Sequence, residues 1–157
     1  MAAPLIEESI EINATAEEVW AVISDLKRMG EWSPQCKKMI LRGEPVGMGT
    51  KSININRRGV LVWPTTSKII RFAPNKELGF RVAENKTVWS YTIAPTASGV
   101  TVTERREVAN GTTKISSFLV DKFMGGTTNF EAELKLGMAE TLGKIKRAAE
   151  SSAARAA

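Results

Sequence analysis

The chain has 157 residues and a formal net charge of +5, and its 43% hydrophobic and 25% charged content are ordinary for a globular protein. It contains no histidine, one cysteine (Cys36) and one tyrosine (Tyr91), which excludes an intramolecular disulfide, a zinc or transition-metal site of the usual ligand types, and an imidazole-based triad. The length fits one domain that buries roughly two-thirds of its unfolded surface, and the lone cysteine suits a reducing, cytoplasmic setting.

Residues Met1 to Glu8 carry neither a basic n-region nor an apolar h-region, so no signal peptide is expected. Leu5 to Asn13 alternates apolar and polar residues, which predicts an edge or half-buried strand. Thr15-Ala16-Glu17-Glu18 reads as a capping box, and Val19, Trp20, Val22, Ile23 and Leu26 follow at helical spacing, predicting a short helix over 16–26. Gly30 and Pro34 around Trp32 break a second short helix or turn.

Strand patterns then follow over 37–42, 50–58, 60–72, 78–83, 87–94 and 100–108, separated by turn residues tight enough to require antiparallel neighbours. Pro64 implies a bulge or an edge position. Gly43, Gly47 and Gly49 match no phosphate-binding spacing and read as a hairpin turn. An apolar segment from Phe118 to Met124 stops at Gly125-Gly126. Phe130, Leu134, Met138, Leu142 and Ile145 then place an i, i+4 stripe on a long helix over 128–150, with a frayed tail over 151–157. Residues 1–150 form a single domain without repeats. No apolar run approaches the about 18 residues that span a bilayer, so no transmembrane segment is expected.

Function classes narrow by the same means. The paired cations Lys37-Lys38, Arg57-Arg58 and Arg105-Arg106 are scattered among acids, which favours a solvated face over a nucleic-acid footprint. Cys36 lacks a base partner and reads as a small buried hydrophobe. Acid–base work could fall to Glu104, Tyr91 or Arg106 if they face an interior. Glu104 and Arg106 share strand parity, so the pair either enters the concave face or forms an ordinary exposed pair. Trp63, Phe80, Trp89 and Tyr91 either fill a core or line a pocket left by a single helix against a curved sheet. Gly137, in mid-helix, marks a close approach or space left open.

The string Ser9-Ile10-Glu11-Ile12-Asn13-Ala14-Thr15-Ala16-Glu17-Glu18-Val19-Trp20-Ala21-Val22-Ile23-Ser24-Asp25-Leu26 resembles the opening of the START-like (SRPBCC) superfamily. Glu31-Trp32-Ser33-Pro34, Gly47-Met48-Gly49-Thr50 and Gly99-Val100-Thr101-Val102-Thr103-Glu104 resemble its later motifs, so the likeness covers about 5–149. The superfamily includes polyketide cyclases and dehydratases, lipid-transfer domains and the birch-pollen allergen group. The resemblance implies an α+β helix-grip fold, with two short helices after the first strand and a curved antiparallel sheet wrapped around the C-terminal helix. It also implies an apolar tunnel whose entrance includes 116–126. The gate motifs of plant hormone receptors are absent, as is the histidine of some catalytic relatives.

The expectation is a cofactor-free, metal-free binding protein, favoured as a monomer, that holds and carries a hydrophobic small molecule such as a lipid or polyketide. The alternative is a polyketide cyclase, aromatase or dehydratase using Glu104, Tyr91 or Arg106. A third possibility is an interaction protein with a vestigial cavity. The expected ligand contacts are Trp32, Ile55, Trp63, Phe80, Trp89, Tyr91, Val102, Glu104, Phe118, Phe123, Met138 and Leu142.

Overall fold

The computed structural model describes residues 5–108 and 127–156. Strand β1 (Leu5–Ile12) leads to helix α1 (Ala16–Ile23), a 3-10 turn (Leu26–Arg28) and the one-turn helix α2 (Met29–Trp32). Six strands follow: β2 (Cys36–Arg42), β3 (Lys51–Arg58), β4 (Leu61–Ala73), β5 (Glu77–Val82), β6 (Thr87–Pro95) and β7 (Val100–Val108). Helix α3 (Thr127–Ala156) closes the chain.

Several helix boundaries have a local cause. The Thr15 side chain accepts from the Glu18 N–H at 3.2 Å while Glu18 Oε2 accepts from the Thr15 N–H at 3.0 Å, so the capping box is formed. Helix α1 ends at Ile23 rather than Leu26. The Ser24 hydroxyl bonds back to the Trp20 carbonyl at 2.7 Å, a local contact that competes with continuing the helix. Helix α3 runs through Ala156, so the segment expected to fray is helical. Ser151-Ser152-Ala153-Ala154-Arg155-Ala156 contains neither glycine nor proline, and alanine is the strongest helix former.

The seven strands form one antiparallel sheet in the order β1-β7-β6-β5-β4-β3-β2. First and last strands are therefore neighbours, and α1 and α2 bridge from one sheet edge to the other. Pro64 sits opposite Ile55 in the part of β4 that precedes the β5 pairing, which begins at Ser67. That half of β4 is locally an edge, where a missing N–H is tolerated. A bulge follows between Ile69 and Arg71.

The C-terminal half of α3 packs solidly. Leu142, Ile145 and Ala149 meet Ile12, Val19, Val22, Ile23, Val100 and Val102 in one buried cluster. A second cluster, Ile6, Leu134 and Met138 with Trp89 against it, lies toward the helix N-terminus. The long helix gripped by a curved sheet is the helix-grip fold. Among the described residues no helix is long and apolar enough to cross a membrane.

Gly99 fixes how the β6–β7 turn meets the start of α1. A Cβ there would overlap the Ile12 carbonyl oxygen and stand 3.1 Å from Asn13 Cα, both backbone atoms that cannot swing away. Gly99→Ala should lower stability by about 1–3 kcal/mol in urea denaturation, the range for overpacking a tight site. A loss under about 0.5 kcal/mol, typical of an unconstrained surface site, would mean that the turn moves freely.

Candidate functional site

The N-terminal half of α3 does not fill the sheet. A cavity of about 540 Å³ lies beneath it, within the usual size range of ligand pockets. Leu134, Gly137, Met138 and Thr141 supply its helical wall, spaced to share one face. Gly137 serves two ends. It lines the cavity, and a Cβ there would lie 3.1 Å from Pro34 Cγ, so glycine lets the segment after α2 approach the helix. Lys37, Arg57, Arg58 and Glu133 also line the space, and Arg58 Nε meets Glu133 Oε2 at 2.7 Å.

An adjoining space of about 210 Å³ runs deeper under the sheet and shares Ser33, Gln35, Trp89, Glu104 and Leu134 with the first. Its apolar wall includes Met29, Met39, Leu61, Trp63, Phe80, Val82 and Tyr91. Its β3–β4 side is polar. Asn54 Nδ2 donates to Thr65 Oγ1 at 3.2 Å and to Ser67 Oγ at 3.3 Å, Asn56 Nδ2 donates to Thr65 Oγ1 at 3.0 Å, and the Ser52 hydroxyl donates to Asn54 Oδ1 at 2.8 Å. The expected apolar tunnel is thus an apolar chamber with one amide-and-hydroxyl wall.

A buried carboxyl and a buried guanidinium stand in this chamber. Glu104 is 3% exposed and Arg106 4%. Register places Tyr91 opposite Glu104 and Trp89 opposite Arg106. The Tyr91 hydroxyl donates to Glu104 Oε1 at 3.1 Å, so it is Tyr91 rather than Arg106 that holds the carboxyl group. Burial pushes the Glu104 pKa up to about 8, partly offset by the Tyr91 hydrogen bond. Burial, then the neighbouring Glu104 charge, raises the Tyr91 phenol well above its usual value. Burial lowers the Arg106 pKa, and the charge of Glu131 works against that. Glu104 Oε2 and Arg106 Nη1 have no hydrogen-bond partner among the described residues.

At neutral pH the pair therefore combines a mostly protonated carboxyl, able to donate from Oε2, with a guanidinium that no carboxylate among the described residues bonds. Such a site can grip a carbonyl, hydroxyl or carboxylate on an otherwise apolar molecule. Burial also raises the Cys36 thiol to about 11, which keeps it a thiol. Among the described residues no three His, Cys, Asp or Glu side chains are grouped to hold a metal ion.

Of the residues expected at the site, Trp63, Phe80, Trp89, Tyr91, Glu104, Arg106 and Met138 border one or both spaces. Trp32, Val102 and Leu142 belong to the solid core instead, with Arg28 stacked over the Trp32 ring at 4.6 Å. Ile55 lies on the outer sheet face, because its neighbours Asn54 and Asn56 point inward. Phe118 and Phe123 lie outside the described residues, as does the expected entrance over 116–126. Sequence reasoning missed Asn54, Asn56, Thr65, Ser33 and Gln35, and the cations Lys37, Arg57 and Arg58. The available signal was the alternation over 51–58, which places Asn54 and Asn56 on one strand face.

A family model described as polyketide cyclase / dehydrase and lipid transport matches residues 4–150. Comparison with curated proteins found no match. The solved Polyketide_cyc-like protein Cgl2372 from Corynebacterium glutamicum is 31% identical, with a TM-score of 0.61 over 94% of this chain and 92% of that one. The aromatase/cyclase ZhuI from Streptomyces sp. R1128 is 14% identical, with a TM-score of 0.74 over 93% of each chain. The di-domain ARO/CYC StfQ of the steffimycin biosynthetic pathway is 13% identical with a TM-score of 0.75; 96% of this chain aligns, but it spans only 52% of that protein. At these identities ZhuI and StfQ speak for the fold alone.

Proposed function

Because the chain belongs to the polyketide cyclase / dehydrase and lipid transport family, we propose that it binds and carries a hydrophobic small molecule in the chamber between sheet and α3. The observation that carries this reading is the pairing of an apolar chamber with two buried polar groups, each of which keeps one atom, Glu104 Oε2 and Arg106 Nη1, without a hydrogen-bond partner among the described residues. Trp63, Phe80 and Trp89 supply area for an acyl chain or ring system. Arg106 and Glu104 supply a polar anchor at the inner end. The ligand class that satisfies both is an amphiphile with one carboxylate, enol or carbonyl head.

Mass action tests it. A ligand bound only by the folded state at 100 times its Kd stabilises by about 2.7 kcal/mol, which raises the Tm by several degrees for a domain of this size. Long-chain fatty acids should give such a shift, and Trp89→Asp should remove it. Failure of every fatty acid, sterol and aromatic polyketide to shift the Tm, with no adduct on the natively purified protein by mass spectrometry, would overturn the reading.

A second reading, cyclase or dehydratase chemistry, draws on the Tyr91–Glu104 hydrogen bond. A phenol and a carboxyl of raised pKa, in contact inside a chamber, are arranged as a proton donor and acceptor would be. Under that reading Glu104→Gln cuts turnover by about 10²–10⁴-fold with little change in affinity.

A further inference from the structure

The outer face of the sheet divides into two halves of different electrostatic character. Over β7, β1 and the C-terminal end of β4 the cations are matched. Arg71 Nη1 reaches Glu77 at 3.5 Å and Glu107 at 3.2 Å, and Arg105 Nε reaches Glu7 at 2.8 Å. Over β2 to β5 the register sets like charges directly opposite one another. Arg42 faces Lys51, Lys51 faces Lys68, and Lys68 faces Arg81.

All four are exposed, and among the described residues none forms an ion pair. Strands about 4.8 Å apart make this row roughly 14 Å long. Like charges directly opposed destabilise a sheet, so the row works against folding rather than for it. Glu84 borders this face but bonds the Thr66 N–H and hydroxyl, each at 2.8 Å.

Beside the row the same face turns apolar. Ile40 faces Ile53, and Ile55 faces Pro64. Val62 is 56% exposed, and Val60, at the tip of the β3–β4 hairpin, is 98% exposed. That tip adjoins the cavity, since Arg57, Arg58 and Gly59 line it.

We propose that this half of the outer face docks on an anionic lipid bilayer. The four-cation row lies against headgroup phosphates, and Val60 and Val62 enter the interfacial layer beside the cavity. The apolar positions decide between anionic partners. A nucleic-acid backbone offers Ile40, Ile53, Val60 and Val62 nothing to pack on, whereas the boundary between headgroups and acyl chains buries them. Each cation near an anionic leaflet contributes about fivefold in binding, the equivalent of about 1 kcal/mol. The proposal rests on the outer face and is independent of what the chamber holds.

Co-sedimentation of the full chain with vesicles tests it, using pure phosphatidylcholine and an equal mixture with phosphatidylglycerol. Binding is expected to the mixture alone and to weaken as salt is raised. The double variant Lys51→Ala, Lys68→Ala should bind the mixture about 30-fold more weakly, with a Tm no lower than the parent because an opposed like-charge pair has gone. Val60→Asp should also lose binding. Arg105→Ala, on the matched half, should change binding less than about twofold, since its charge is already neutralised by Glu7.

Absence of binding to the mixed vesicles would overturn the proposal. So would equal losses in the double variant and Arg105→Ala, or binding of a DNA duplex with the same variant sensitivity in place of vesicles. Fatty-acid uptake by the same variants in vesicle-free buffer separates this outcome from failure of the carrier reading.

Discussion

Stability should fall as pH rises from about 4.5 to about 8, and Glu104→Gln should remove most of that fall. In the unfolded chain the carboxyl titrates near its usual value of 4.5, while in the fold burial holds its pKa up at about 8. Between those values the native state keeps a proton that the unfolded state has released, so unfolding becomes easier with each step upward in pH. The favourable contribution is complete below 4.5 and is lost by the time pH passes 8. The slope in that window approaches about 1.4 kcal/mol per pH unit for one group.

Other shifted groups act elsewhere. Cys36 and Tyr91 are raised from 9.0 and 10.0 and act in the alkaline range. Glu31 and Glu44 are lowered by their Arg28 and Lys27 hydrogen bonds and act with the opposite sign below 4.5. Urea denaturation at pH 5 and pH 8 reads the effect. The variant should be close to wild type at the lower pH, because glutamine mimics the protonated acid, and clearly more stable at the higher. Parallel pH profiles for the two proteins would show that Glu104 is solvated in solution.

Alternation in the sequence told which strand residues share a face, but not which face turns inward. For β6 the two questions have the same answer, because Trp89, Tyr91 and Ile93 are both the large apolar set and the inward set. For β3 they do not. The apolar residues Ile53 and Ile55 face outward, and the amides Asn54 and Asn56 face the chamber. Hydrophobic-inside reasoning fails there because the chamber wall is polar.

The capping box at Thr15 was legible because it depends on four consecutive residues. The contact of Tyr91 with Glu104 was not, because it depends on the register between β6 and β7, which spacing within one strand cannot supply. Glu104 and Arg106 could be placed on one face by parity, but their burial required the whole sheet. Leu142 and Val102 were expected at the ligand because they lie on the correct face. They are core because α3 closes on the sheet toward its C-terminal half and opens toward its N-terminal half, a difference along one helix that its hydrophobic stripe does not record.

Replacing Arg106 should separate stability from recognition. The guanidinium is almost fully buried, makes no ion pair among the described residues, and leaves Nη1 unbonded, so the empty protein bears a desolvation penalty without full repayment. Methionine keeps much of the length and packs against Trp89 across the strand pair. Buried charges exchanged for apolar residues of similar volume often leave a protein unchanged or more stable by about 1–4 kcal/mol. Arg106→Met should therefore raise the Tm of the ligand-free protein.

Binding should move the other way, and selectively. A hydrogen bond to a charged group contributes about 1.5–3 kcal/mol, so wild type should prefer a long-chain fatty acid over the corresponding alcohol by about 10–100-fold. The variant should bind acid and alcohol alike, at close to the affinity of wild type for the alcohol, because the apolar walls of Trp63, Phe80 and Trp89 are untouched. Titration calorimetry with the two ligands against the two proteins gives all four affinities. Equal preference for the acid in wild type and variant would place the carboxylate elsewhere in the chamber, and a variant less stable than wild type would mean that Arg106 is held by more than the chamber needs.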